Sequence, residues 1–209
     1  VLGSQAAYAQ WASQYPAEAH NVLMQVEEAA MLALLPEVRS QTVLDLACGT
    51  GRWAKIAVKR GAKLVIGTDN SLAMLQSSQL ANRVEAEMTC LPLGDTCIDV
   101  LLCGLAIGHL LAQHMRQAFA EMGRVLKPGG VALVSDFHPF IAWAGGQRTF
   151  KGEDGQTYAV EHYVHGYADL HRAAQSAGLT IETVQEPTHP ENIDSPPIVL
   201  VLRLKKSSS

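Results

Sequence analysis

The stretch VLDLACGTGRWA, residues 43–54, runs a short apolar strand into a glycine turn and then into a helix. Its Gly49-x-Gly51-x-x-Ala54 spacing fits the alanine-ended form of a dinucleotide fingerprint, with Asp69 about 20 residues after the first glycine. Glycines at those positions let the backbone curl tightly and let a ligand approach with no Cβ in the way. The helix that follows offers N–H groups to an anion. A pyrophosphate and an amino-acid carboxylate both satisfy that description, so the glycines alone do not choose between them.

The acidic residues carry more of the choice. Asp45 stands in the approach to the turn, where a carboxylate repels a pyrophosphate and attracts an ammonium. Asp69, in IGTDNS with Asn70 beside it, is placed to accept from two ribose hydroxyls, and Glu87, in VEAEMTCLPL, offers a carboxylate to an exocyclic amine. Arg52 reads either as a contact to a ligand carboxylate or as a solvated first-turn residue. Proton transfer is the other chemistry within reach. A neutral histidine can take a proton from an attacking hydroxyl or amine, and His138, leaving a strand in SDFHPF, is the first choice, with His165 and Tyr15 behind it. His109 opens onto the same edge, where it reads equally as a backbone partner. A metal held by His138, His162 and His165 is the alternative to a reading without a cation, and no metal is expected.

Alternating strands and helices must position these groups. Apolar residues Val22, Leu23, Val26, Ala29, Ala30 and Ala33 recur at helical spacing over 19–35, ahead of Pro36. Strands are then expected at 42–47, 63–68, 83–88, 98–104 and 130–136, with helices at 52–60, 71–80 and 112–126 between them. Apolar strands separated by helices imply a parallel sheet covered on both faces. LKPGG, residues 126–130, reads as punctuation between helix and strand. Over 137–166 the pattern changes to polar and aromatic alternation around Glu153-Asp154-Gly155, which predicts an inserted two-stranded flap. A helix at 167–177 and strands at 179–185 and 198–204 complete the reading.

Composition narrows the class. The 209 residues suit one domain, 1–209, with 1–40 as a helical lid and 137–166 as a substrate flap, and 48% hydrophobic content is ample for a core. A net charge of -4 with no clustered basic stripe argues against nucleic acid as a partner. The apolar runs are far below the roughly 18 residues of a membrane span. With no secretory signal read at the N-terminus, a cytoplasmic protein is expected. Cys48, Cys90, Cys97 and Cys103 lack CxxC spacing and read as reduced core residues.

In VLDLACGTGRWA, IGTDNS, AEMTCLPL, IDVLLCGLAIGHL, and LKPGG before VALVSDF, the chain resembles the class I S-adenosylmethionine-dependent methyltransferases over roughly residues 8–205. The resemblance implies a Rossmann-like, doubly wound α/β fold with a mostly parallel seven-stranded sheet whose last strand is antiparallel. It implies that the backbone around Ala47, Gly49 and Gly51, with Asp45 nearby, holds the methionine portion of S-adenosyl-L-methionine. Asp69 then grips the ribose, Glu87 and the Met88 backbone meet the adenine, and Leu105 touches the amino group. Glu87 departs from the aspartate more usual there by one methylene. In that family the segment matching the aromatic lead with Tyr8, Trp11, Tyr15 and His20 often folds over the cofactor as a lid; plain helix packing is the alternative.

The reaction so implied is in-line methyl transfer to a small-molecule acceptor at an O, N or C atom, leaving S-adenosyl-L-homocysteine. Phe150, Tyr158 and Tyr163, with Trp143, wall an apolar pocket, or else glue the flap to the sheet or to a second subunit in a homodimer. The rivals are an NAD-dependent oxidoreductase using the same glycine turn, for which no Tyr-x-x-x-Lys dyad is visible, and a non-catalytic cofactor-binding regulator.

Overall fold

The computed structural model describes residues 1–152 and 155–208. In chain order, α1 (Ser4–Trp11) and a short 3-10 turn (Ala12–Gln14) lead into α2 (Val22–Leu34). Then come β1 (Thr42–Leu46), α3 (Arg52–Lys59), β2 (Leu64–Asp69), α4 (Leu72–Ser77), β3 (Arg83–Glu85) and β4 (Ile98–Gly104). After a 3-10 turn at Ile107–His109 follow α5 (Ala112–Val125), β5 (Leu126–Phe137), α6 (Pro139–Trp143), β6 (Thr149–Lys151) and β7 (Thr157–Ala159). The chain closes with α7 (Tyr167–Ser176), β8 (Leu179–Gln185) and β9 (Val199–Lys206).

Seven strands form one sheet in the order β3-β2-β1-β4-β5-β9-β8. β9 runs antiparallel to both neighbours, and the pairs among β3, β2, β1, β4 and β5 are parallel. This is the expected doubly wound arrangement. Strand order reverses between β1 and β4, so a crevice opens beyond their carboxyl ends. Successive residues of the central strands point to opposite faces. Leu44 and Leu101 pack with Met115 and Phe119 of α5 and with Leu170 of α7, while Val43 and Leu102 pack with Met31 of α2 and Trp53 of α3.

Several boundaries move for identifiable reasons. β3 covers three residues rather than 83–88 and is exposed throughout, because it is an edge strand. Past Glu85 the Ala86 amide donates to Asp69 O and the chain turns, leaving Glu87 on that turn. α4 stops at Ser77, and the next residue, Ser78, is extended, its hydroxyl accepting from the Leu80 amide. β5 starts directly after α5. Leu126 pairs with Ile98 and Val131 with Val100, so Lys127 to Gly130 bulge out, with Gly129 at φ 76° and Lys127 Nζ 2.7 Å from Asp99. In α2 the buried face is Met24, Glu27, Ala30 and Met31, while Ala29 and Ala33 are exposed.

The flap is present as the β6–β7 hairpin, with Phe150 opposite Tyr158. Of its expected turn, Glu153 and Asp154 lie outside the described residues. A third small core joins this hairpin to the N-terminal lead: Ala7, Phe150 and Val160 are buried together, Trp11 stacks on Phe150 at 5.0 Å, and Leu2 bridges to Val160. α1 and α6 are additions to the expected elements. Among the cysteines, Cys48 and Cys103 are buried, but Cys90 is exposed on the turn after β3. Among the described residues no helix is long and apolar enough to cross a membrane.

Candidate active site

The first turn is built around three positive φ values, Ala47 at 57°, Gly49 at 54° and Gly51 at 95°. Leu105, just past β4, takes the same left-handed conformation at 58°. For Ala47 and Leu105 this is a costly backbone state, and both stand where the ends of adjacent central strands meet the crevice. Side chains tie the turn down. Asp69 at the end of β2 accepts from the Gly49 amide through Oδ2 and from the Ser71 amide through Oδ1, each at 2.8 Å. Asp45 accepts from the Ala54 amide at 2.7 Å, serving from inside β1 as the acceptor for the first turn of α3, which Gly51 cannot cap with a side chain.

These residues surround a cleft at the carboxyl ends of the central strands. Asp45, Ala47, Gly49, Asp69, Asn70, Glu87, Met88 and Leu105 all line it, so the structure brings together the expected cofactor positions apart from Gly51, which shapes the turn from behind. Gly51 tolerates little else: a Cβ there would stand 3.1 Å from both Leu80 and Ser78. Asn70 Nδ2 donates to Glu87 at 3.2 and 3.3 Å, joining the two at one end of the cleft. At the other end, Arg52 is neither solvated nor free. It is buried in ion pairs with Glu27 at 2.7 Å and Glu28 at 3.2 Å, and Glu27 also accepts from Ser135 Oγ at 2.6 Å. Gly104 admits this cluster, since a Cβ there would lie 2.9 Å from Glu27 Oε1.

Burial sets the electrostatics. It pushes the Asp45 carboxyl up to about 7, against the opposing Ala54 hydrogen bond and the Arg52 charge. It also raises Asp69 and Glu27 above the usual carboxylate range, although backbone amides and Arg52 respectively pull them back.

The lead and the flap close one side. Tyr8 and Tyr15 line the cleft; His20 does not, and is exposed with its ring edge-on to Trp11 and Tyr15. His109 and Arg148 also line it. Arg148 Nη1 donates to Leu105 O and to His109 Nε2, both at 2.8 Å, and the Tyr8 hydroxyl meets the same ring nitrogen at 3.0 Å. Because Nε2 accepts, Nδ1 carries the proton and donates to Glu161 O at 3.0 Å. Burial, then the Arg148 charge, lower His109 to about 3.

The other expected bases stand elsewhere. His138 caps α6, accepting from the Phe140 amide at 3.2 Å, with its Nε2 3.0 Å from Glu186 Oε1. It is outside the cleft because β5 carries it past the cleft rim before the chain turns into α6. His165 is buried in a separate small cavity, its Nε2 2.9 Å from Leu110 O. His162 shares that cavity and pairs with Asp136 at 3.3 Å. Burial alone would raise Asp136, but the His162 hydrogen bond and the Arg148 charge outweigh it and hold the carboxyl down at about 2. Among the described residues no three His, Cys, Asp or Glu side chains are grouped to hold a metal.

Arg148, Glu27 and the tyrosine–histidine contact escape a reading of the sequence. Arg148 sits in an irregular segment with no periodicity to point it inward. Glu27 follows Met24 by three residues and precedes Met31 by four, a helical spacing that places it on the core face.

Comparison with known proteins agrees with this geometry. Residues 44–134, which run from within β1 to within β5, match a family model described as a methyltransferase domain. A malonyl-[acyl-carrier protein] O-methyltransferase of Salmonella typhimurium is 35% identical over 130 residues, 60% of this chain and 50% of that protein. An uncharacterized protein of Haemophilus influenzae is 44% identical over 155 residues, 66% of this chain and 59% of that protein. The chain thus spans about half the length of the curated relatives it matches. The crystal structure of an S-adenosylmethionine-dependent methyltransferase from Mesorhizobium loti shares the fold with a TM-score of 0.73 at 22% identity, over 87% of this chain and 98% of that one. Strand order, switch-point cleft and sequence matches agree: residues 44–134 carry a methyltransferase domain, and the chain has the fold of S-adenosylmethionine-dependent methyltransferases.

Proposed function

We propose that this chain binds S-adenosyl-L-methionine in the cleft beyond β1 and β4 and transfers its methyl group to a small-molecule acceptor. One observation carries the reading: eight residues from the ends of four separate strands and the turns after them, among them Asp45, Asp69 and Glu87, line a single cleft. The charge balance of its walls favours a cationic ligand over a diphosphate, because Arg52 is already neutralised by Glu27 and Glu28, leaving Arg148 to offset three lining carboxylates, Asp45, Asp69 and Glu87. In this reading Ala47, Gly49 and Asp45 hold the amino-acid end, Asp69 the ribose, and Asn70, Glu87 and Met88 the base. The bound donor supplies an activated methyl group, so the protein contributes alignment and exclusion of water.

The helical lead and the hairpin act together as the cover. Trp11 stacks on Phe150 and Leu2 bridges to Val160, so the start of the lead packs on the hairpin, and Tyr8, Tyr15 and Arg148 bring that layer to the cleft wall. Among the described residues lining the cleft, the one imidazole is neutral His109, whose basic nitrogen already accepts two hydrogen bonds. The acceptor best suited to such a site needs no proton removed by the protein before attack. Incubation with methyl-labelled S-adenosylmethionine and a metabolite panel tests the proposal. Label appearing in a small-molecule product supports it, and cofactor binding with no transfer to any member favours a non-catalytic regulator.

A further inference from the structure

Arg148 stands where three hollows meet. It lines the cleft described above and a wider, more open one that shares Tyr15 and Leu105 with it, and it also borders a third between the hairpin and α6. The wide hollow is walled mainly by apolar groups, including Leu23, Met24, Phe137, Ile141 and Ile198. Among its described lining residues, Arg148 is the one side chain charged at every working pH. Its guanidinium lies over the Phe137 ring, 4.7 Å from the centroid, which fixes the plane of the fork.

That guanidinium has no carboxylate within ion-pairing distance among the described residues. Both of its hydrogen bonds described above leave from Nη1, to Leu105 O and His109 Nε2. Asp136 feels the charge, but its oxygens already accept from the Gly108 and Phe137 amides and from His162. A half-buried cation held in place by a ring and a carbonyl, with the other edge of its fork uncommitted among the described residues, is built to receive a planar anion.

We infer that Arg148 is the recognition group for the acceptor, and that the acceptor is an organic monocarboxylate whose apolar body fills the wide hollow. A carboxylate matches the planar fork, and a single cation in apolar surroundings balances one negative charge, whereas a phosphate dianion would leave charge uncompensated. Arg148 would then place the acceptor beside Leu105, at the rim shared with the cofactor cleft. This assignment rests on the methyltransferase reading proposed above.

The experiment is a calorimetric titration of the S-adenosylhomocysteine-loaded protein with benzoate, hexanoate, benzamide and phenyl phosphate. Benzoate and hexanoate should bind saturably and benzamide at least about tenfold more weakly, the loss expected when a charge-assisted pair is removed. Arg148→Gln should weaken benzoate about tenfold or more while leaving S-adenosylhomocysteine within about threefold, and Arg148→Lys should fall between. Retained S-adenosylhomocysteine binding also reports that each variant is folded. Equal affinity for benzoate and benzamide, or tighter binding of phenyl phosphate, would overturn the inference. So would benzoate binding unchanged in Arg148→Gln, or a tenfold loss of S-adenosylhomocysteine in that variant, which would assign Arg148 to the cofactor. Failure of the wild-type protein to bind S-adenosylhomocysteine is a separate result that removes the methyltransferase reading itself.

Discussion

Arg148 Nη1 and His109 Nε2 lie 2.8 Å apart, and this contact joins the start of the hairpin to the turn after β4 while holding the imidazole in its Nδ1-protonated form. A ring that accepts from a guanidinium cannot also take up a proton at that nitrogen. Its pKa falls to about 3 because burial and the adjacent positive charge both oppose ionisation.

Stability should follow from that depression. Between about pH 6.5 and 3 the unfolded chain binds a proton at His109 that the folded chain refuses, so this residue's contribution is present above the unfolded value and is lost as pH falls through that window. Chemical denaturation at pH 7.5 and 4.5 should show a smaller drop in His109→Asn than in the wild type, by roughly 1 to 3 kcal/mol. Equal drops would contradict the neutral, buried assignment.

Asp45 works with the opposite sign. Its folded pKa, raised to about 7, makes a stabilising contribution that is complete below the unfolded carboxylate value near 4 and is lost as pH rises through 7. A ligand ammonium beside it favours the ionised form, so binding at neutral pH should release a proton. S-adenosylhomocysteine affinity should therefore rise several-fold between pH 6 and 8, and Asp45→Asn should flatten the rise. The measurement is titration calorimetry in two buffers of different ionisation enthalpy; identical heats in both buffers at pH 7 would exclude the linkage.

The Glu27–Arg52 pair anchors the lead helix α2 to the start of α3 with almost no solvent access to either side chain. Removing Arg52 strands the Glu27 carboxylate in the interior, whereas removing Glu27 leaves Arg52 paired with Glu28. Arg52→Ala should cost about 3 to 5 kcal/mol of unfolding free energy, far more than an exposed pair would. Loss below 1 kcal/mol by chemical denaturation would show that solvent reaches the cluster.

The sheet and the glycine turn are legible in the sequence because their signals are local: apolar strands such as IDVLLCG, which forms β4 from Ile98 to Gly104, paired glycines, and a carboxylate in or after each of β1, β2 and β3. The wall of the cleft formed by those strand ends follows from them, because the topology must bring them together. The wall formed by the lead and the hairpin does not. Arg148 and His109 meet across 39 residues, and Tyr8 joins them across 101, by way of a small core in which Trp11 and Phe150 stack. No periodicity records such a contact. His138 attracts attention because it leaves a central strand, yet β5 continues through Phe137 and the histidine is used to cap α6. In α2 the apolar residues alone place the buried stripe one step around the helix, because a buried glutamate inside it looks like a solvent-facing residue until its arginine is seen.

The central claim is that the cleft between the ends of β1 and β4 receives S-adenosylmethionine. Calorimetric titration of the protein with S-adenosylhomocysteine and, separately, with NAD tests it most directly. The account predicts saturable binding of one S-adenosylhomocysteine per chain, weakened about tenfold or more by Asp69→Asn, and no saturable binding of NAD. Saturable binding of NAD with none of S-adenosylhomocysteine would contradict it.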